Sequence, residues 1–210
     1  MDQVISTKFL GIYIDQHLTW AEHIKIISNK IAKNIGIIRK IAHLLPTKIL
    51  INLYYTLVNP YFIYGNIVWA SNYDSRIKNL VLLQKRIIRI IARDKYYDHT
   101  HKRFIELGIM KFENINTYMT GLFTYKAIFK LLPPATVIFF TKREEDHNHF
   151  TRGSKGLSNQ YARTNYRRFS LTCRGPIVWN NIPNNICNLR TFAQFKSAWR
   201  KHMTYVDQWK

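Results

Sequence analysis

The chain has 210 residues, 47% of them hydrophobic, and sets 32 Lys plus Arg against 12 Asp plus Glu for a formal net charge of +20. That length suffices for one domain or two small ones with a sizeable core, but such a charge repels itself in a compact state unless a polyanion neutralises it, and phosphate backbones are the commonest such partner. Cys173 and Cys187 are too few for a disulfide framework, and the N-terminus shows no secretory signal, so a reducing, intracellular setting is expected.

The first element is a strand over Val4 to Ile14 that stops at Asp15, which reads as a turn former. Thr19 stands three residues before Glu22, the spacing of a capping box, so a helix is expected from about Trp20 to His43. Ile24, Ile27, Ile31, Ile35, Ile38 and Ala42 recur along it at helical spacing and form one apolar stripe. Lys25, Lys33 and Lys40 lie on the other face, free to meet a partner.

Pro46 and Thr47 punctuate the chain before a second helix over Lys48 to Val58, and Pro60 predicts a break before a third helical piece reaching Trp69. No charge occurs from Ile49 to Tyr73, but four Asn, Pro60 and several Tyr interrupt that run, so a buried helical pair is expected and not a membrane span. Asn72 to Ser75 offer cap chemistry for a helix over Arg76 to Arg93. Its core face is Ile77, Leu80, Val81, Gln84, Ile87, Ile88 and Ile91. Lys78, Lys85, Arg86, Arg89 and Arg93 lie on its other side, and no acid falls between Asp74 and Asp94 to neutralise them.

A short helix near His101 to Leu107, closed by Gly108, and a longer one near Glu113 to Leu132 follow, the second with Tyr118, Phe123, Tyr125 and Phe129 as core aromatics. From Pro133 to Gly175 the periodicity vanishes, which predicts a linker or long basic loop with short strands at Val137 to Thr141 and Phe169 to Cys173. The run Tyr161 to Arg174 interleaves aromatics with Arg163, Arg167, Arg168 and Arg174. It fits stacking on unpaired bases, and equally a basic loop ordered by Tyr166 and Phe169. Gly175 and Pro176 then start a helical turn holding Trp179, and Thr191 caps a last helix with Phe192, Phe195, Trp199 and Met203 on one side.

Chemistry is harder to find. Nucleotide addition needs two divalent ions held by clustered carboxylates, yet the one acidic run is Glu144, Glu145 and Asp146, and no aromatic-x-Asp-Asp element occurs. His99 with His101 and His147 with His149 raise a zinc question, but their spacing to Cys173 and Cys187 matches no known knuckle or ribbon. No Gly-x-Ser-x-Gly or Gly-rich phosphate loop is present. Neither a catalytic residue, a metal, a cofactor nor a small-molecule substrate is therefore assigned to this chain.

Several runs together resemble jockey-like non-LTR (LINE-type) retrotransposon reverse transcriptases. The resemblance begins with Phe9, Leu10, Gly11, Ile14, Asp15, Thr19, Trp20 and His23. It continues through Leu53, Tyr54, Pro60, Tyr61, Tyr64, Gly65 and Trp69, then Gln84 to Arg86, Arg89, His99 and Thr100. It closes with Arg163 to Tyr166, Arg174 to Pro176, Trp179 and Asn180. It implies the part of such an enzyme where the palm ends and the thumb begins, with the magnesium-dependent palm carboxylates lying before Met1. The fold class expected is mainly α, with a palm-derived N-terminal strand (1–18), a helical thumb-like bundle (19–132), a basic loop (133–175) and a small C-terminal α(+β) region (176–210). The partners implied are RNA, an RNA/DNA hybrid or DNA, together with the palm and fingers of the parent polymerase. Lys25, Lys33, Lys40, Lys78, Lys85, Arg86, Arg89 and Arg93 are the expected phosphate contacts, joined by Arg163, Arg167, Arg168 and Arg174. The alternatives are a non-catalytic basic module for an RNA or protein partner, and the product of a decayed element.

Overall fold

In the computed structural model, residues 4–143 and 156–206 are described, and they fall into two compact units divided between Ile115 and Asn116. The fold is mainly helical, as expected, with a small antiparallel sheet at the N-terminal end.

The first unit opens with β1 (Ser6–Phe9) and β2 (Ile12–Asp15), paired antiparallel with Phe9 opposite Ile12. The expected single strand is thus a hairpin. Leu10 at φ 46° and Gly11 at φ 80° both enter the left-handed region that a two-residue primed turn demands, and Gly adopts it at no steric cost. The capping box is not formed either. Trp20 occupies the cap position of α1 (Ala21–Ile41) in a left-handed conformation with no side-chain cap bond; Thr19 Oγ1 accepts from Ala21 N at 3.4 Å, and Asp15 organises the turn just before the helix. Its Oδ1 accepts from the His17 and Thr19 amides at 3.2 and 2.9 Å, and Oδ2 accepts from Trp20 N at 2.6 Å. Burial alone would raise the Asp15 pKa, but the hydrogen bonds from Thr19, Trp20 and His17 outweigh it and hold the carboxyl below its ordinary value.

The α1 stripe is buried as its spacing requires: Ile31, Ile35 and Ile38 are fully enclosed. After α2 (Thr47–Leu57), Pro60 falls in the first turn of α3 (Asn59–Ile63), where its missing N–H costs nothing. The expected third piece is in fact two short helices, because Gly65 at φ 58° interrupts it before α4 (Asn66–Trp69). In α5 (Asp74–Ala92) the buried face holds Leu80, Leu83, Gln84, Ile87, Ile88 and Ile91. No side-chain cap bond forms at its start, since Asn72 spends its amide on Thr19 O and its oxygen on Tyr73 N. The short α6 (His101–Glu106) ends at Leu107 and Gly108, the latter at φ 62°.

A buried knot ties this unit together. Gln84, 1% exposed, donates from Nε2 to the Tyr54 hydroxyl and to Met110 O, both at 2.9 Å, and its Oε1 accepts from Phe112 N at 2.7 Å. It joins α5, α2 and the start of α7 (Phe112–Ile128) with all three contacts satisfied. Around it the Phe62, Trp69 and Phe112 rings pack together, and His23 meets Trp69 edge-on at 5.3 Å.

In the second unit the expected strands are absent. Val137 closes α8 (Pro134–Val137), Phe169 closes α9 (Asn165–Phe169), and Leu171 to Cys173 begin α10 (Leu171–Asn180). Thr164 caps α9 by accepting from Arg167 N, and the extended Ser170, which makes no side-chain cap bond, separates it from the next helix, so the β-prone residues are divided between two helices. Pro176 therefore lies inside a helix instead of opening one. Among the described residues of this unit, the β structure is an isolated Lys142 to Leu157 bridge. After α11 (Asn184–Cys187), α12 (Phe192–Tyr205) is capped by Thr191, which accepts from Gln194 N, as the sequence predicts. Tyr125 is the centre of this core, stacked at 4.3 Å on both Phe129 and Phe195.

Candidate nucleic-acid interface

Helices α1 and α5 pack against each other, and the bonds at their ends set their relative direction. At the start, Arg76 Nη1 and Asn72 Nδ2 both donate to Thr19 O, at 2.8 and 2.9 Å. At the end, Arg93 Nη2 donates to Leu45 O at 3.1 Å. The helices therefore run parallel, N-terminus beside N-terminus. With 1.5 Å of rise per residue, Lys25 to Lys40 and Lys78 to Arg93 each span about 22 Å, or about six base steps of a duplex at 3.4 Å.

Lys25, Lys33, Lys40, Lys78, Arg86 and Arg93 are exposed, whereas Lys85 and Arg89 are half-buried. Among the described residues the ion pairs both belong to Arg103, which engages Asp94 at 2.9 Å and Glu106 at 2.7 Å. The acid that follows the basic helix is thereby consumed by a residue outside it, and the α1 and α5 cations have no carboxylate partner among the described residues. Leu82, 52% exposed in the middle of the α5 outer face, supplies an apolar spot within that track.

Beside Lys85 is a cavity of about 170 Å³ lined by Val81, Gln84, His99, Thr100, His101, Phe104, Lys111, Phe112 and Glu113. Lys111 Nζ lies 3.0 Å from His101 Nδ1. The His99 and His101 pair considered for zinc therefore faces an ammonium group, and among the described residues there is no group of three or more His, Cys, Asp or Glu that could hold a metal ion. His147, His149 and the acidic run Glu144 to Asp146 lie outside the described residues. Cys173 is buried, and burial pushes the Cys187 thiol up to about 11.

In the second unit Arg163, Arg167 and Arg168 are exposed on and just before α9. Arg174, on α10, is half-buried, and loss of solvent pulls its pKa down. Of this run Tyr161 and Tyr166 are exposed, whereas Phe169 is half-buried. Sequence reasoning passed over Tyr96 and Tyr97, which stand at 71% and 87% exposure directly after α5. Their adjacency in a basic context was the available signal.

No described helix is long and apolar enough to cross a membrane; the uncharged run from Ile49 to Tyr73 is divided among α2, α3 and α4. The fold defines a mainly helical, strongly basic protein. Its sequence is similar to a protein of Drosophila melanogaster named "Probable RNA-directed DNA polymerase from transposon X-element", with 28% identity over 120 residues. The match takes in 54% of this chain and 13% of that much longer protein. No family model and no solved structure matches.

Proposed function

We propose that this chain is the C-terminal part of a jockey-like non-LTR retrotransposon RNA-directed DNA polymerase and that it grips template and primer behind the catalytic centre. Residues 1–18 would be the end of the palm, 19–132 the thumb and following helices, 133–175 a basic segment and 176–210 a C-terminal binding region. The observation that carries the reading is the pair of parallel helices, each presenting unpaired cations along about 22 Å. The similarity to a transposon polymerase supports it.

In this reading Lys25, Lys33, Lys40, Lys78, Lys85, Arg86, Arg89 and Arg93 neutralise backbone phosphates of an RNA/DNA hybrid, a DNA or a structured RNA, without reading sequence. Arg163, Arg167 and Arg168 add contacts from the second unit, together with the half-buried Arg174. In this reading two-metal chemistry would belong to the palm of the intact polymerase, whose carboxylates would hold magnesium. The partners are then nucleic acid and the palm and fingers of the parent enzyme, within a nuclear or cytoplasmic ribonucleoprotein.

The test is equilibrium binding of a blunt hybrid duplex across a salt series. Eight phosphate contacts predict a slope of log affinity against log salt of about −7. A near-flat dependence refutes the mechanism.

A further inference from the structure

The chain between α5 and α6 forms a pinned turn with two tyrosines at its tip. Asp98 N donates to Lys95 O at 3.1 Å, and the Asp98 carboxylate accepts from Lys95 N at 2.8 Å, which closes the turn around Tyr96 and Tyr97. Arg89 Nε donates to Asp98 O at 2.9 Å and holds the turn to α5. On the other side, Asp94 is clamped by two bonds from Arg103, both 2.9 Å. The two rings meet edge-to-face at 5.0 Å and 90°, with the Arg89 guanidinium 6.0 Å from the Tyr96 ring. Two large aromatics at 71% and 87% exposure are thus presented by a preorganised turn instead of being folded into the core.

The nearby charges decide the occupant. Asp94 is paired with Arg103, and the Asp98 carboxylate, bonded to the Lys95 amide, is one negative charge against the cations of Arg86, Arg89, Arg93 and Lys95 on the same helix end and turn, of which Arg86, Arg93 and Lys95 are exposed. A ligand that pairs a π-face with a negative charge at each repeat satisfies the whole arrangement, and single-stranded nucleic acid has that chemistry. We propose that Tyr96 and Tyr97 form a stacking site for an unpaired base, at the point where a single strand leaves the duplex held along α5. The duplex half of this statement rests on the function proposed above; the stacking half does not.

The test uses the full chain, its Tyr96→Ala/Tyr97→Ala variant and its Tyr96→Phe/Tyr97→Phe variant. Three probes serve: a blunt hybrid duplex, the same duplex with a short single-stranded overhang carrying 2-aminopurine, and the free single strand. The alanine variant is expected to lose about ten-fold in affinity for the overhang and the single strand, with the fluorescence quenching abolished. Blunt-duplex affinity stays within about two-fold, since phosphate contacts carry it, and the phenylalanine variant restores binding and quenching. Equal overhang affinities for parent and alanine variant overturn the inference and leave the rings to a protein partner. An equal loss on blunt and overhang probes overturns it too. Failure of the parent on the blunt duplex alone sinks the duplex-grip reading, while a tyrosine-dependent single-strand affinity would still support the stacking site.

Discussion

Replacing Gln84 by Met keeps the side chain's length and apolar stem but removes both polar atoms at the centre of the first unit. The Tyr54 hydroxyl, Met110 O and Phe112 N each lose a partner that now sits at 2.9, 2.9 and 2.7 Å. A buried polar group left unsatisfied costs about 1 to 3 kcal/mol, so three of them cost about 4 kcal/mol once the Tyr54 hydroxyl has reoriented. That is a large share of the stability of a domain this size. Tyr54→Phe removes one of the three bonds and should cost about 1 kcal/mol, and the double variant should cost about 1 kcal/mol less than the sum because the two changes share that bond. Because two units unfold in one chain, amide exchange along α5 and at Phe112 reads the first unit separately, beside a urea titration by far-UV circular dichroism. A Gln84→Met protein within about 1 kcal/mol of the parent, with Phe112 still protected, would refute the reasoning, since the knot would then be dispensable.

Three further outcomes are expected. Lys85→Ala/Arg86→Ala should weaken duplex binding for every sequence alike and make the salt slope shallower by about 2; a sequence-dependent loss at constant slope would contradict phosphate contact. Burial, and then the charge of Lys30, hold the His23 imidazole below its ordinary 6.5, so the folded chain binds fewer protons there than the unfolded chain does. Stability is then fully present above 6.5 and falls as pH drops below it; urea midpoints at descending pH should show this decline, and His23→Phe should flatten it. In the second unit a Cβ on Gly121 would stand 2.5 Å from Trp199 Nε1, which donates to Tyr118 O at 3.2 Å. Gly121→Ala should cost about 1 to 3 kcal/mol and move the near-UV signal, whereas Gly36→Ala, with open space around it, serves as the control.

Amphipathic periodicity is local, so the sequence alone determined where the long helices run, which isoleucines of α1 are buried and which lysines and arginines of α1 and α5 face outward. The Thr191 cap and the Pro60 break were legible for the same reason: each needs only neighbours within one turn. Tertiary structure decided what depends on distant partners. Asp15 gathers the His17, Thr19 and Trp20 amides just before α1 and leaves Trp20, not Thr19, at the cap position, and the hairpin before it needed two left-handed residues at Leu10 and Gly11. Phe169 became helical at the end of the helix that Thr164 caps, and Leu171 to Cys173 at the start of the helix that follows the extended Ser170. Gln84 read as one more core position, and only the approach of Tyr54 and the Met110 to Phe112 segment made it the polar centre of the unit. The cations were visible as a composition; that α1 and α5 run parallel, and that Asp94 is spent on Arg103, were settled by contacts between residues far apart in the chain. Charge and periodicity are properties of residues and short windows, whereas the interface they form depends on how the helices align, and that alignment exists only once the core has packed.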